Sequence, residues 1–127
     1  MRSFVVAAAI GLAALACQAQ TSARPTITGA SLAEQIRAGR APLVLDVRST
    51  EEFRSGHIPG AVNIPIDELP ARISELRLAK TDEVVVHCER GPRAAKAEAL
   101  LVESGYANVV DLQGHMKGWR DAGLPVE

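Results

Sequence analysis

The feature that most constrains this chain is an alternation. Short apolar runs suited to strands are separated repeatedly by stretches that carry helix start and stop signals. Ser31-Leu32-Ala33-Glu34 has the form of a capping box and opens a helix that should stop near Gly39. Leu43 to Val47 (LVLDV) is a short apolar run, suited to a strand covered on both faces. Ser49-Thr50-Glu51-Glu52 is a second capping box, for a short helix ending by Gly56. Ala61 to Ile64 predicts a brief strand, and Ile66 to Leu78 a helix with Pro70 near its first turn. Val84-Val85-Val86 is β-branched and apolar, a strand that leads into His87-Cys88. Pro92 stands at a first helical position, the Ala/Leu-rich stretch to Glu103 continues the helix, and Gly105 follows its C-cap. Asn108 to Leu112 reads as a last strand and Met116 to Ala122 as a short terminal helix. Such an order implies a parallel α/β sheet with helices on both faces. With 127 residues and no internal repeat or low-complexity tract, it implies one domain that can bury a core without staples.

The first residues follow a different logic. MRSFVVAAAIGLAALACQAQ carries one cation, Arg2, then an uncharged apolar run from Phe4 to Ala16, then small residues. That run is too short for a bilayer of roughly 30 Å, which takes about 20 helical residues. The layout is that of a secretory signal peptide over residues 1–19, with cleavage after Ala16 or Ala19. A bacterial lipoprotein anchor on Cys17 is the competing reading, weakened by Ala14 where that motif usually carries Leu. Export places the chain outside the cytoplasm, in a bacterial periplasm, with contact to a membrane only if Cys17 is lipidated. Residues 20–26 (QTSARPT) are polar and read as a linker, leaving residues 27–127 as the domain.

Cleavage after Ala19 leaves a single cysteine, Cys88. An unpaired thiol in an exported protein is no half of an internal disulfide and calls for a chemical reason. Metal ligation is not that reason, because His57, His87, His115 and the cysteines show no ligand spacing; neither a metal nor another cofactor is expected. Nucleic acid is not the partner either: 14 basic against 15 acidic residues and 3% aromatics supply neither a basic surface nor stacking platforms.

In parallel sheets, ligands bind outside the carboxyl ends of strands, at the start of the following helix. Cys88 occupies that place, followed by Glu89-Arg90-Gly91-Pro92-Arg93. Successive amides of a tight Gly-containing loop make an anion nest, a helix N-terminus adds partial positive charge, and Arg90 and Arg93 add full charges. Such surroundings lower a cysteine pKa from ~8.5 into the range of about 3.5–7.5. Cys88 therefore reads as a nucleophile rather than an inert strand-end thiol. Cys88 and Arg93 enclose four residues, one fewer than in loops that cradle a tetrahedral phosphate, so a single sulfur atom suits the loop better than a phosphoryl group.

These residues together resemble the rhodanese (thiosulfate sulfurtransferase) family in its single-domain form. The resemblance spans residues 27–126 and rests on Asp46-Val47-Arg48, Glu52-Phe53, the run Gly56-His57-Ile58-Pro59-Gly60-Ala61-Val62-Asn63-Ile64-Pro65, and the Cys-x-x-Gly-x-Arg loop. Gly105-Tyr106, Val109, Leu112, Gly114 and Trp119 extend it. It implies a mainly parallel five-stranded sheet with helices on both faces. It also implies a mechanism: the Cys88 thiolate takes the outer sulfur of thiosulfate or a similar donor, and the persulfide passes it to cyanide, a thiol or a protein acceptor. Glu89, Arg90, Gly91, Pro92 and Arg93 would then line the substrate site, with Arg93 as anion contact or loop brace, Arg90 steering anions from outside and Gly91 needed for its backbone. Asp46 and Arg48 would pair near the sheet's carboxyl end.

Two residues depart from the family pattern. Glu89 puts an acid beside the nucleophile, where it should oppose an anionic donor. His115 stands where the family usually has a second Gly, in a turn that in relatives lies beside the loop, so its imidazole comes within reach of the sulfur. His87 precedes Cys88 on a strand and should face the other way, in a packing role. His57 sits in a Pro/Gly turn that resembles a structural element of the family, and Trp119, Leu112 and Leu100-Leu101 read as core. A non-turnover sulfur carrier or redox-sensing module stays open as the alternative, followed by a Cys-based phosphatase or arsenate reductase.

Overall fold

Five strands pair in parallel into one sheet, in the order β1 (Thr26–Ile27), β5 (Asn108–Leu112), β4 (Glu83–His87), β2 (Leu43–Asp46) and β3 (Val62–Asn63). This computed structural model describes residues 24–127; residues 1–19, expected to act as an export signal, and Cys17 within them lie outside the described residues. The central strand β4 is buried on both faces, and Val84, Val85 and Val86 are all fully buried, which is why its sequence is a continuous apolar run. Side chains alternate across the sheet. Leu45, Val84, Val86 and Val109 share one core with Leu69, Ala94, Ala97 and Leu101, under α3 (Leu69–Arg72) and α4 (Pro92–Glu103). Val44, Val85, Val110 and Leu112 share the other with Leu32, Met116 and Trp119, under α1 (Gly29–Arg37) and α5 (His115–Asp121). The α/β fold with helices on both faces is thus present.

Several local expectations hold. The box at Ser49 is formed in both directions at the start of α2 (Thr50–Arg54): Ser49 Oγ accepts from the Glu52 amide, and Glu52 Oε1 from the Ser49 amide, each at 3.2 Å. Pro92 opens α4, and Gly105 follows its C-cap Ser104 with φ +94.

Three expectations are corrected. The first helix is capped by Thr28, not Ser31: Thr28 is extended, its hydroxyl accepts from the Ser31 amide at 3.1 Å, and Ser31 falls inside the first turn. The stretch from Ile66 is not one helix but a 3₁₀ turn (Ile66–Glu68), α3 and a second 3₁₀ turn (Ile73–Glu75). Pro70 has no N–H to bond the Ile66 carbonyl; the Leu69 amide bonds it instead, closing a tighter turn. The segment 20–26 is not linker to its end, because Thr26 lies in β1. The Asp111 amide donates to the Pro25 carbonyl at 2.9 Å, and Arg24 pairs with Glu98 at 3.3 Å. β1 is the fifth strand, too short at two residues to show in a local pattern.

Burial separates the two classes of aliphatic side chain. Leu45→Ala, at a site with 0% exposure in the core around β4, is expected to cost about 2–5 kcal/mol in urea unfolding. Val102→Ala, at a site 51% exposed on α4, should stay within about 0.5 kcal/mol of wild type.

Candidate active site

The sheet order fixes where the site sits. From β2 the chain crosses to β3 on one side, and from β4 it crosses to β5 on the other, so the connections diverge between adjacent strands. The carboxyl ends of β2 and β4 flank the crevice where open α/β sheets bind ligands. Cys88 follows β4 there.

The loop from Cys88 to Arg93 folds back on its own sulfur. The Gly91 amide donates to Cys88 Sγ at 3.0 Å. Gly91 holds φ +129, a backbone open to glycine, and a Cβ there would stand 3.2 Å from His115 Nε2. Burial pushes the Cys88 thiol up. The His115 ring and the amides of Ala94, Gly91 and Arg90 pull it down further, from 9.0 to about 7. A substantial thiolate fraction is therefore present at neutral pH.

α5 carries the loop from below. Its amides at Met116 and Lys117 donate to the carbonyls of Cys88 and Glu89, at 3.0 and 3.1 Å. Glu89 does not face the sulfur's approach as a bare charge. Both its carboxylate oxygens accept from Arg120 Nη2 on α5. Arg93 is a brace: Nη1 and Nη2 bind the two oxygens of Glu52 at 2.6 and 3.0 Å, tying the start of α4 to α2. That guanidinium outweighs burial and holds the Glu52 carboxyl down at about 2. Arg90 is exposed and, among the described residues, pairs with no carboxylate.

Behind the loop, Asp46 and Arg48 form a buried pair. Arg48 Nε and Nη2 donate to the carboxylate at 2.8–3.1 Å, and Nη2 also donates to the Gly56 carbonyl at 2.9 Å. Asp46 stands opposite His87 in the ladder, with His87 Nε2 3.6 Å from Oδ2. His87 is buried and lies on the opposite face from Cys88, as alternation requires; burial lowers its pKa and keeps the ring neutral. His57 is structural: it stacks on Phe53 at 3.7 Å, its Nδ1 donates to the Phe53 carbonyl, and its backbone pairs with Glu127. Pro92 supplies the first residue of α4 and no polar contact.

The structure therefore sets the amides of Arg90 and Gly91 and the His115 ring about the Cys88 sulfur, turns Arg93 to Glu52 and Glu89 to Arg120, and places Asp46 and Arg48 as scaffold. A cavity of about 310 Å³ beside the loop is lined by Arg48, Glu52, Glu89, Met116 and Arg120 among others. Sequence reasoning passed over Glu52 as a loop partner, Arg120, Asp111 and Glu98. Glu52 enters the sequence reading as a helix cap and as part of the family resemblance; its bond to Arg93 spans 41 residues and has no local signal.

The sequence matches the family described as rhodanese-like domain over residues 28–122. A sulfurtransferase of Allochromatium vinosum is 38% identical over 69 residues, covering 54% of this chain and 63% of that protein. Thiosulfate sulfurtransferase PspE of Escherichia coli is 37% identical over 57 residues, covering 45% and 55%. The matches thus span less than two thirds of these relatives. The crystal structure of a rhodanese-related protein from Thermoplasma volcanium superposes with a TM-score of 0.70 at 36% identity, covering 81% of this chain and 97% of that one.

The Glu52–Arg93 brace has a definite pH signature. The folded carboxyl titrates near 2 against an ordinary 4.5, so the brace contributes stability above pH 4.5 and loses it as pH falls toward 2. The stability gap between wild type and Glu52→Gln, measured by chemical denaturation, is expected to be level near neutrality and to close across that acid window. A gap that ignores pH would remove the ion pair from the account.

Proposed function

The chain belongs to the rhodanese-like domain family, and from that premise we propose that it is a sulfurtransferase, carrying a sulfane sulfur from thiosulfate or a similar donor to a thiophilic acceptor through a persulfide on Cys88. The observation that carries this reading is the Gly91 amide set 3.0 Å from Cys88 Sγ inside a loop of four enclosed residues. Thiolate and persulfide are both anions at one position, and amides aimed there stabilise each without moving.

In the first half-reaction the Cys88 thiolate attacks the outer sulfur of thiosulfate. A new S–S bond forms, the old one breaks, and sulfite departs with the bonding electrons. In the second, the acceptor attacks the outer sulfur of the persulfide and Cys88 leaves again as thiolate. Cyanide serves as acceptor in the test tube; thiols or a protein partner serve in the cell. With Arg93 held by Glu52 and Arg120 by Glu89, exposed Arg90 is the cation left to meet the incoming dianion and the leaving sulfite.

A non-turnover carrier is the second reading. Its support in the sequence is Glu89, which opposes an anionic donor, and the small size of the chain, which leaves little wall around the loop; pairing with Arg120 offsets the first of these. A phosphatase or arsenate reductase fits less well, since the loop is one residue tighter than a phosphate cradle. We also propose that residues 1–19 direct export and are removed, with lipidation of Cys17 as the variant outcome.

Cys88→Ala is expected to abolish sulfite release from thiosulfate and the mass increment of one added sulfur, while folded His57→Ala retains both. Many sulfite equivalents per chain are expected with cyanide present; one stoichiometric burst would select the carrier. Intact-mass measurement of protein from its native envelope should give a chain starting after Ala19, or after Ala16. A full-length mass would overturn the export proposal.

A further inference from the structure

The last residue of β4 is a histidine at a position that suits an apolar side chain. Val84, Val85 and Val86 precede it, and position 87 shares the face of Val85, which packs with Leu32, Val110 and Met116. His87 is 0% exposed there. Its Nδ1 lies 3.0 Å from the Cys88 carbonyl oxygen. A carbonyl can only accept, so Nδ1 carries the proton, and burial keeps a second proton off Nε2. Nε2 is left without a hydrogen-bond partner among the described residues. Asp46 Oδ2 stands 3.6 Å from it, but that carboxylate is an acceptor too, and both its oxygens already take N–H groups of Arg48. A buried nitrogen with no partner opposes folding. The one hydrogen bond that the ring makes among the described residues is to Cys88.

That bond bears on the nucleophile because of where it is made. The peptide after Cys88 is planar and trans, so its carbonyl and the Glu89 N–H point in opposite directions. His87 Nδ1 and the Met116 amide, each at 3.0 Å, hold the carbonyl on the α5 side. The Glu89 amide is thereby turned to the α4 side, where Cys88 packs with Ala94 and Ala97. From this peptide the chain runs through Arg90 to Gly91, whose amide stands 3.0 Å from Sγ. At the other end of the same residue, the Cys88 amide donates to His115 Nδ1 at 3.3 Å. Side chains thus hold both polar main-chain atoms of Cys88, one residue past the end of β4.

We propose that His87 is a positioning residue for sulfur transfer: its Nδ1–H fixes the carbonyl of Cys88 and, through that peptide, the aim of the following loop amides at the sulfur. The ring lies on the opposite face of the strand from Sγ and touches neither donor nor acceptor. It acts as a second point of attachment. With the Met116 amide alone, the Cys88–Glu89 peptide is held at one bond and can rock about it; with the ring as well, it cannot. Fixed amides stabilise an anion on sulfur without reorganising, whereas amides on a rocking peptide do so only part of the time. The effect on turnover rests on the sulfurtransferase reading; the effect on the thiolate does not, since the same amides face it before any donor arrives.

Substitution separates this role from packing, because stability and reactivity should part company. His87→Leu keeps an apolar bulk of similar size, removes the unpartnered Nε2 and leaves the Cys88 carbonyl bonded to Met116, so urea unfolding should show no loss of stability. Alkylation of Cys88 by a neutral haloacetamide, followed against pH on the whole chain without any sulfur donor, reads the thiolate. Its wild-type midpoint is expected near 7. His87→Leu should raise it by about one unit, slowing alkylation about tenfold below the midpoint. The sulfite burst at saturating thiosulfate should slow about ten- to a hundredfold. His87→Asn, whose side-chain amide nitrogen can take the place of Nδ1, should return both toward wild type. A folded His87→Leu chain with the wild-type midpoint overturns the proposal and leaves the ring as packing alone. A raised midpoint that His87→Asn does not reverse also overturns it, since the lost group would then not be the donor. If His87→Leu fails to fold, nitrogen NMR of the unsubstituted chain reads the ring directly, with the His87 signals assigned by their absence from His87→Asn. The role requires the proton on Nδ1; a proton on Nε2 alone overturns it. A raised midpoint beside a wild type that releases no sulfite sinks the transfer reading alone. An unmoved midpoint beside an active wild type sinks the positioning role alone.

Discussion

A peptide N–H held 3.0 Å from a buried sulfur sets the terms for everything at the carboxyl end of this sheet. A thiol enclosed on all sides resists ionisation, and burial is the largest influence on Cys88. The amides of Arg90, Gly91 and Ala94 and the His115 ring reverse that influence because they are fixed before any charge appears. Their aim depends on a left-handed glycine, a proline to start α4 and a loop short enough to leave its amides no other partner.

Keeping those amides aimed is the work of three ion pairs of unequal character. Asp46–Arg48 is buried, and its five N–H contacts, counting the Arg48 amide and the Gly56 carbonyl, satisfy both charges as they join the end of β2 to the turn before β3. Glu52–Arg93 and Glu89–Arg120 are partly exposed, where ion pairs add little to stability. Their value is positional. One ties the loop's outgoing end to α2, the other ties its second residue to α5, and each cancels a charge that would otherwise compete for or repel an anionic donor.

The two faces of the sheet divide the remaining polar groups. On the α1 and α5 side, Asp46 and His87 lie together at the strand ends, with His87 held neutral. On the α4 side, Asp111 and Glu98 line one cavity with His115 and Gly91, and burial raises the Glu98 carboxyl to about 8. A single-residue alternation along the strands produces that separation.

What the sequence alone determined was what depends on near neighbours along the chain: the strand–helix alternation, the box at Ser49–Glu52, the Gly91-Pro92 helix start, and the number of residues between Cys88 and Arg93. From these followed the sheet and the place of the Cys88 thiol at its carboxyl end. The same local reasoning misplaced the first helix cap and drew one helix across Pro70, because the Thr28 hydroxyl accepts from the Ser31 amide ahead of it and the missing N–H of Pro70 leaves the Ile66 carbonyl to Leu69. The tertiary structure decided the partners. Arg93 finds Glu52 41 residues away, Arg120 finds Glu89 31 away, and His115 reaches Cys88 27 away. No short-range period encodes such meetings. They arise from the crossovers, which carry α2, α4 and α5 to one end of the sheet and bring side chains within hydrogen-bonding distance only once the cores beneath them have packed.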